Sequence, residues 1–300
     1  MTNERSAGLI AFGALQILIG LACAALALSI AAGSELMVRQ GPGGGAAVAS
    51  GLVVYGLTAV YFIAVGVGSI RRRRWARALS VVVSAIWLAA GVVATLLLIV
   101  VLPVLRGRAS IGAIVGGAIV FAIVLPLIIF LFYRQEAVRR ICELADFPRW
   151  TDRVPLPVLA VVVVLAFASV TLFANLANPA IAIFGAQMTG APAAVTLLAL
   201  AILCAWLAIQ LYRLRESAWW TLVLLQVIGC VAAATALVRG TAAPTSAGID
   251  LSDVYRSPLF VTVLAASWIA YFAYLLFIRR YFAIALEPRT RREDTAERFT

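Results

Sequence analysis

Few residues in this chain could do chemistry, and they fall into three sets. The densest is Arg71-Arg72-Arg73-Arg74-Trp75-Ala76-Arg77, a run dominated by arginine between two long uncharged stretches. Guanidinium groups fork onto carboxylates and phosphates. The block could therefore hold an acidic partner or the anionic headgroups of a lipid surface. Arg213-Leu214-Arg215 is a thinner version of it. The second set is polar but uncharged. Gln16 and Gln226 fall near the middle of apolar runs, with Ser84, Thr95, Thr171, Asn175, Gln210 and Ser267 also at membrane depth. The third is the group Asp146, Asp152 and Arg153, the one place where an enzymatic reading has carboxylates and a cation within reach of each other.

Much chemistry is excluded by what is missing. His is absent from all 300 residues. That removes the commonest general base and the commonest metal ligand, and with them Ser-His-Asp, Cys-His and His-bearing zinc sites. Cys23, Cys142, Cys204 and Cys230 share no CxxC or metal-ligand spacing and read as small packing residues. Gly41-Pro42-Gly43-Gly44-Gly45 lacks the Lys-Ser/Thr that a phosphate loop needs. We expect no catalytic residues, no metal and no cofactor. The net charge of +11 could suggest nucleic acid, but the charges are confined to short gaps between apolar runs, so a nucleic-acid partner is rejected.

The elements that position these residues follow from the apolar runs. The chain is 64% hydrophobic and 12% charged, about half the charged fraction of a soluble domain. Uncharged runs long enough to cross a bilayer, about 20 residues each, lie at Gly8–Ala32, Gly51–Ile70, Ala78–Leu105, Ile111–Tyr133, Pro155–Leu176, Ala193–Tyr212, Ala218–Val238 and Pro258–Ile278. The fold class is all-α: a polytopic bundle of about eight transmembrane helices. Small residues four apart, as at Gly112 with Gly116, Ala64 with Gly68 and Gly229 with Ala233, mark places where helix backbones can approach. The first run carries small-residue sites such as Ala22-Cys23-Ala24. It is longer than a typical signal-peptide core of about 7 to about 15 residues, and we expect it to be retained.

The arginine block fixes orientation. An arginine at the bilayer centre costs about 2.5 to 3.5 kcal/mol, so the block is a loop, and short arginine-rich loops stay cytoplasmic. With both termini inside, the outer side holds only Arg39, Arg106, Arg108, Arg239 and Arg256 of the 24 basic residues. The expected site is a bacterial cytoplasmic membrane, since every basic residue is arginine and Ala and Gly abound. Arg71, Arg72, Arg73, Arg74, Arg77, Arg213 and Arg215 are then anchors against anionic headgroups. Trp75, Trp150, Trp219 and Trp220 stand near inner span ends, the aromatic-belt position.

Sliding the chain along itself until Arg71 meets Arg213 also lays Arg73 on Arg215 and Ala76 on Ala218. The domain reading is a first half at 1–153 with a cytoplasmic linker, a second half at 154–285, and a disordered cytoplasmic tail at 286–300. Four spans per half give both halves the same orientation, a parallel repeat. The match is thin enough that duplication and coincidence among apolar helices both stand. Gly66-Val67-Gly68-Ser69-Ile70 before the block, and Arg149-Trp150-Thr151-Asp152-Arg153 followed by Pro155-Leu156-Pro157-Val158-Leu159, resemble a group of bacterial multi-pass membrane proteins with no assigned activity. The resemblance implies the architecture and no reaction.

For function, the expectation is a non-enzymatic integral membrane protein, structural or accessory, with a homo-oligomer or a membrane partner left open. The alternative is a facilitator of a neutral or lipid-like solute. That alternative needs Gln16 and Gln226 to line a polar cavity; the competing reading gives each amide an interhelical hydrogen bond.

Overall fold

The computed structural model describes residues 2–34, 44–101, 111–147, 150–177, 179–238 and 257–285. The Arg106–Arg108 turn, most of the Gly-rich segment after the first span, the 239–256 loop and the 286–300 tail lie outside these residues. The chain is a multi-pass helical membrane protein: among the described residues, eight helices are long and apolar enough to cross a bilayer. Helices form because hydrocarbon offers no partner for backbone N–H and C=O groups, so each span must bond them internally.

In chain order the elements are α1 (Thr2–Ala32), α2 (Gly44–Ile70), α3 (Arg74–Val101), α4 (Ile111–Ile119), a π-helical turn (Val120–Val124), α5 (Leu125–Arg134), α6 (Glu136–Ala145), α7 (Leu156–Ala174), β1 (Ala180–Ile183), β2 (Ala186–Thr189), α8 (Ala191–Tyr212), α9 (Glu216–Val238) and α10 (Pro258–Ala285). Helices α4 and α5, joined by the π turn, make the fourth span. The π turn ends at the residue before Leu125-Pro126, and Pro126 has no N–H to continue the helical bonds. Helix α2 starts earlier than the sequence suggests, absorbing Gly44 and Gly45 ahead of the helix-forming Ala46-Ala47-Val48-Ala49.

Three further differences have clear local causes. The arginine block is not a loop throughout. Only Arg71–Arg73 turn the chain, and α3 starts at Arg74. Helix α6 does not continue α5, because Gln135 is extended between them (φ −58°, ψ 134°). The uncharged segment between α7 and α8 is an antiparallel hairpin. Ile183 pairs with Ala186 across a turn in which Phe184 and Gly185 both have positive φ.

The bundle is apolar on its outside and holds polar groups within. Leu18, Leu28, Val195, Leu224 and Ile269 are all exposed on span surfaces, while Gln16, Ser69, Ser80 and Ser84 are buried. In lipid the exposed residues are correctly solvated, and the buried polar groups need partners. The two most extensive helix contacts are α1 on α2 and α7 on α8. The α1–α2 contact is backbone on backbone. A Cβ at Gly66 would lie 2.6 Å from the Gly13 carbonyl oxygen, and one at Gly13 would lie 2.9 Å from that of Gly66.

Two turns have the same geometry. After α2, Arg73 N–H donates to Gly68 O (2.8 Å) and Arg72 N–H to Ser69 O (2.9 Å). After α8, Arg215 N–H donates to Gln210 O (3.1 Å) and Leu214 N–H to Leu211 O (2.9 Å). Both are Schellman caps, each with a non-glycine residue in the left-handed region, Arg72 at φ 55° and Leu214 at φ 54°. Each bonded pair in the first turn maps onto its counterpart in the second by the offset that carries Arg71 to Arg213. Just beyond, Arg77 Nε donates to Tyr133 O (3.1 Å) and Trp219 Nε1 to Leu275 O (2.9 Å), again related by that offset.

Candidate functional site

The arginine-rich loops converge at one end of the bundle. Asp146, just after α6, is the centre of this arrangement. Its side chain is 1% exposed, and Arg73 Nη1 donates to its Oδ1 at 2.9 Å. Its Oδ2 accepts the Arg74 backbone N–H at 3.3 Å. The carboxylate thus caps α3 from a distant part of the chain, where the helix dipole favours negative charge. Arg74 Nη2 donates to the Glu143 carbonyl, and Arg77 closes the set through Tyr133 O. Tyr212 OH reaches Trp150 O at 3.1 Å and ties in the second arginine turn.

The seven predicted anchors therefore divide. Arg73, Arg74 and Arg77 are partly buried struts between elements, whereas Arg71, Arg72, Arg213 and Arg215 are exposed. Of the four tryptophans, Trp150 and Trp220 are about half exposed, as a belt requires, but Trp219 is buried beneath Arg279. Sequence reasoning missed that role. A tryptophan beside an arginine turn reads as an interfacial anchor until its N–H is seen on Leu275 O.

Helix α6 is amphipathic. Val138 and Cys142 face inward, and Glu136, Arg139 and Arg140 face out. Arg139 Nε donates to Glu143 Oε1 at 2.7 Å, which holds the Glu143 carboxyl below its usual range. Burial pushes the Cys142 thiol up to about 11, despite the opposing effect of Arg77, Arg72 and Arg74. Two cavities open at this end. One, of about 370 Å³, is walled by Ala64, Val67, Gly68 and Trp75 with Arg71 and Arg73 at its rim. The other, of about 280 Å³, lies between the start of α3, α6 and the start of α7.

The deep polar residues form a different arrangement. Gln16 on α1 is 2% exposed. Its Nε2 donates to Ser80 Oγ on α3 (2.9 Å), and its Oε1 accepts from Ser69 Oγ on α2 and from Tyr133 OH on α5, each at 3.3 Å. One amide thus joins four helices. Gln226, half-buried on α9, is no part of this network, and neither cavity is lined by either glutamine. The two residues are not brought together. Asp146, Asp152 and Arg153 are also separated in role, since Asp146 is a buried structural carboxylate and Arg153 is exposed.

The offset between the two arginine turns carries the network residues Gln16, Ser69, Ser80 and Tyr133 onto Val158, Leu211, Leu222 and Leu275. All four are buried, and all belong to one apolar cluster.

No protein-family model, no curated protein and no solved structure matches this chain.

Proposed function

We propose that the protein is a non-enzymatic, structural or accessory component of a bacterial cytoplasmic membrane, with its arginine-rich end and both termini on the cytoplasmic side. The observation that carries this reading is the closure of the Gln16 network. Gln16, buried among the first four spans, is bonded through one amide N–H and its carbonyl oxygen to three neighbouring helices. A conduit would instead leave that amide for a solute. The charged end is built the same way, with Arg73, Arg74 and Arg77 as internal struts. Arg71, Arg72, Arg213 and Arg215 lie at the surface, where each charge near anionic headgroups contributes about 1 kcal/mol.

The same reading takes the chain as two parallel halves, 1–153 and 154–285, derived from one four-span unit. It is supported by the paired Schellman turns and the paired side-chain bridges. In this view the first half uses a polar centre and the second an apolar one.

The test is reconstitution in liposomes. Permeability to glycerol and other small neutral solutes should match that of protein-free vesicles. A solute flux that depends on the protein and falls in Gln16→Leu would replace this reading with the facilitator. Orientation is checked by reporter fusions after Arg74 and after Gly107, which should report opposite sides.

A further inference from the structure

The cavity of about 280 Å³ between α3, α6 and α7 is lined by Arg74, Arg77, Arg139, Glu143, Thr151 and Leu156, among others. Its volume falls just below the range of drug-sized pockets, so it suits one compact group rather than an extended ligand. Four features give it a preference for an oxyanion.

Three guanidiniums line it against the carboxylates of Glu143 and Asp152, and Glu143 is already engaged by Arg139 at 2.7 Å. The long helix α7 (Leu156–Ala174) begins at its wall. Pro155 supplies no side-chain cap and Pro157 has no N–H, so this end offers the cavity the Leu156 amide and the positive end of the helix dipole. Thr151 is 2% exposed, and its Oγ1 has no hydrogen-bond partner within the protein. Arg74 Nε is also buried without an acceptor. A buried hydroxyl and a buried guanidinium N–H left unpaired each carry a desolvation cost. Both residues line the cavity, so an oxyanion bound there offers each N–H or O–H the acceptor it lacks.

We propose that this cavity is a binding site for a phosphate group, held by Arg74, Arg77, Thr151 Oγ1 and the N-terminus of α7, with Arg139 at the rim. Two sources share that chemistry: the headgroup of an anionic phospholipid and a soluble phosphate ester. The site lies at the arginine-rich end, where either can arrive. It is also confined to the first half. The offset between the halves carries Arg74, Arg77 and Arg139 onto Glu216, Trp219 and Tyr281, none of which is a cation. The proposal does not depend on whether the protein is accessory or a facilitator.

The test uses the full chain in neutral detergent, with thermal unfolding and Trp150 fluorescence as readouts. Trp150 adjoins Thr151 and is 46% exposed. Three ligands are titrated: inorganic phosphate, glycerol phosphate and short-chain phosphatidylglycerol. Diacylglycerol serves as the phosphate-free control. Saturable stabilisation by inorganic or glycerol phosphate assigns the site to soluble phosphate. Stabilisation by phosphatidylglycerol alone assigns it to a headgroup. In either case Thr151→Val should weaken binding about tenfold, the worth of one hydrogen bond to a charged group. Arg139→Gln should weaken it less, while Arg213→Gln, at the other arginine turn, should leave it unchanged. Lack of response to all three phosphates overturns the proposal. So does a response equal in wild type, Thr151→Val and Arg139→Gln, which would mean diffuse attraction to the positive surface. If Thr151→Val fails to fold, Arg139→Gln against Arg213→Gln carries the same decision, because both replace exposed arginines.

Discussion

Replacing Gln16 by leucine should destabilise the bundle without changing its topology. The substitution removes three hydrogen bonds and leaves the Ser69, Ser80 and Tyr133 hydroxyls buried, at 1%, 2% and 0% exposure. Interhelical hydrogen bonds in membranes average about 0.6 kcal/mol, with a maximum near about 1.7 kcal/mol. Two of the three here are long, at 3.3 Å, so the lower half of the range applies, giving about 2 to 3 kcal/mol in all. At roughly 2 to 4 °C per kcal/mol for a chain of this size, the unfolding midpoint in detergent should fall by about 5 to 10 °C. A double-mutant cycle isolates the cause. Tyr133→Phe alone removes one bond and should cost about 0.6 kcal/mol. Once Gln16 is leucine, Tyr133 OH keeps only the neighbouring Ser69 and Ser80 hydroxyls as partners, so Tyr133→Phe should cost less than it does in the wild type. An unchanged midpoint in Gln16→Leu, or strict additivity in the cycle, would refute the network and reopen Gln16 as a group facing a cavity.

Single contacts give further expectations. A Cβ at Gly91 would lie 1.9 Å from the Ala122 carbonyl oxygen within the π turn. Gly91→Ala should therefore cost about 3 kcal/mol or more by overpacking, whereas Gly116→Ala, with open space around it, should be neutral or stabilise by up to about 1 kcal/mol; unfolding in detergent compares the two directly. Asp146→Ala removes both the Arg73 pair and the cap on α3 and should cost about 2 kcal/mol, discounted because Arg73 is 39% exposed. Loss of the more exposed Arg140–Glu136 pair should cost about 0.5 kcal/mol or less by the same assay. The Cys142 thiol sits at about 11 where an ordinary thiol sits at 9.0. Because the thiolate is the reactive form, its maleimide labelling should be slow at pH 7 and keep rising beyond pH 9; a plateau near pH 9 would show an accessible thiol.

The spans were legible because each is an uncharged run longer than a bilayer core, and no globular alternative accounts for eight such runs. The arginine block's place at a helix turn was legible for the same electrostatic reason. Its internal division was not, because a strut and a surface anchor have the same residue type. Only the partner distinguishes them, and Asp146 is remote in sequence from Arg73. The close approaches were read only in part, for a related cause. Sequence spacing draws attention to Ala64 with Gly68, and Gly68 is indeed set tightly against Ala76 and Trp75 of α3; it also draws attention to Gly112 with Gly116 and to Gly229 with Ala233, yet Gly116 faces open space and Gly229 meets Trp268 only at ordinary contact distance. Further tight contacts, at Gly13, Gly20, Gly66 and Gly91, each have a partner on another helix. The hairpin did leave a signal. Ala180–Ile183 alternates, Ala186–Thr189 follows after a two-residue turn, and Gly185 occupies the second turn position. Phe184 in place of the usual Asn or Asp obscured it.

The comparison between the two arginine turns bears on why the halves differ inside. Helices α1 and α2 meet at Gly13, Gly20 and Gly66, and the second half holds Pro155, Val162 and Ala208 at the matching positions. Glycine lets two helices approach closely, which leaves room between them for serine but not for leucine. Gln16, Ser69 and Ser80 suit a narrow interface, and their polar atoms then need one another. The second half has bulkier residues at the matching positions, and Leu211, Leu222 and Leu275 pack there in one apolar cluster. The polar network is thus coupled to the glycines. Gly66→Ala should weaken the Gln16 bonds by separating α1 from α2, and its cost should shrink when Gln16 is already leucine. Gly229 on α9 is the control, meeting Trp268 at 3.4 Å in the second half, away from the Gln16 network. Its alanine variant should cost the same in either background, as expected of sites that share no partners. Unfolding midpoints of the single and double variants decide between coupling and independence. Equal costs for Gly66→Ala in both backgrounds would mean that the polar centre and the close helix approach are separate features.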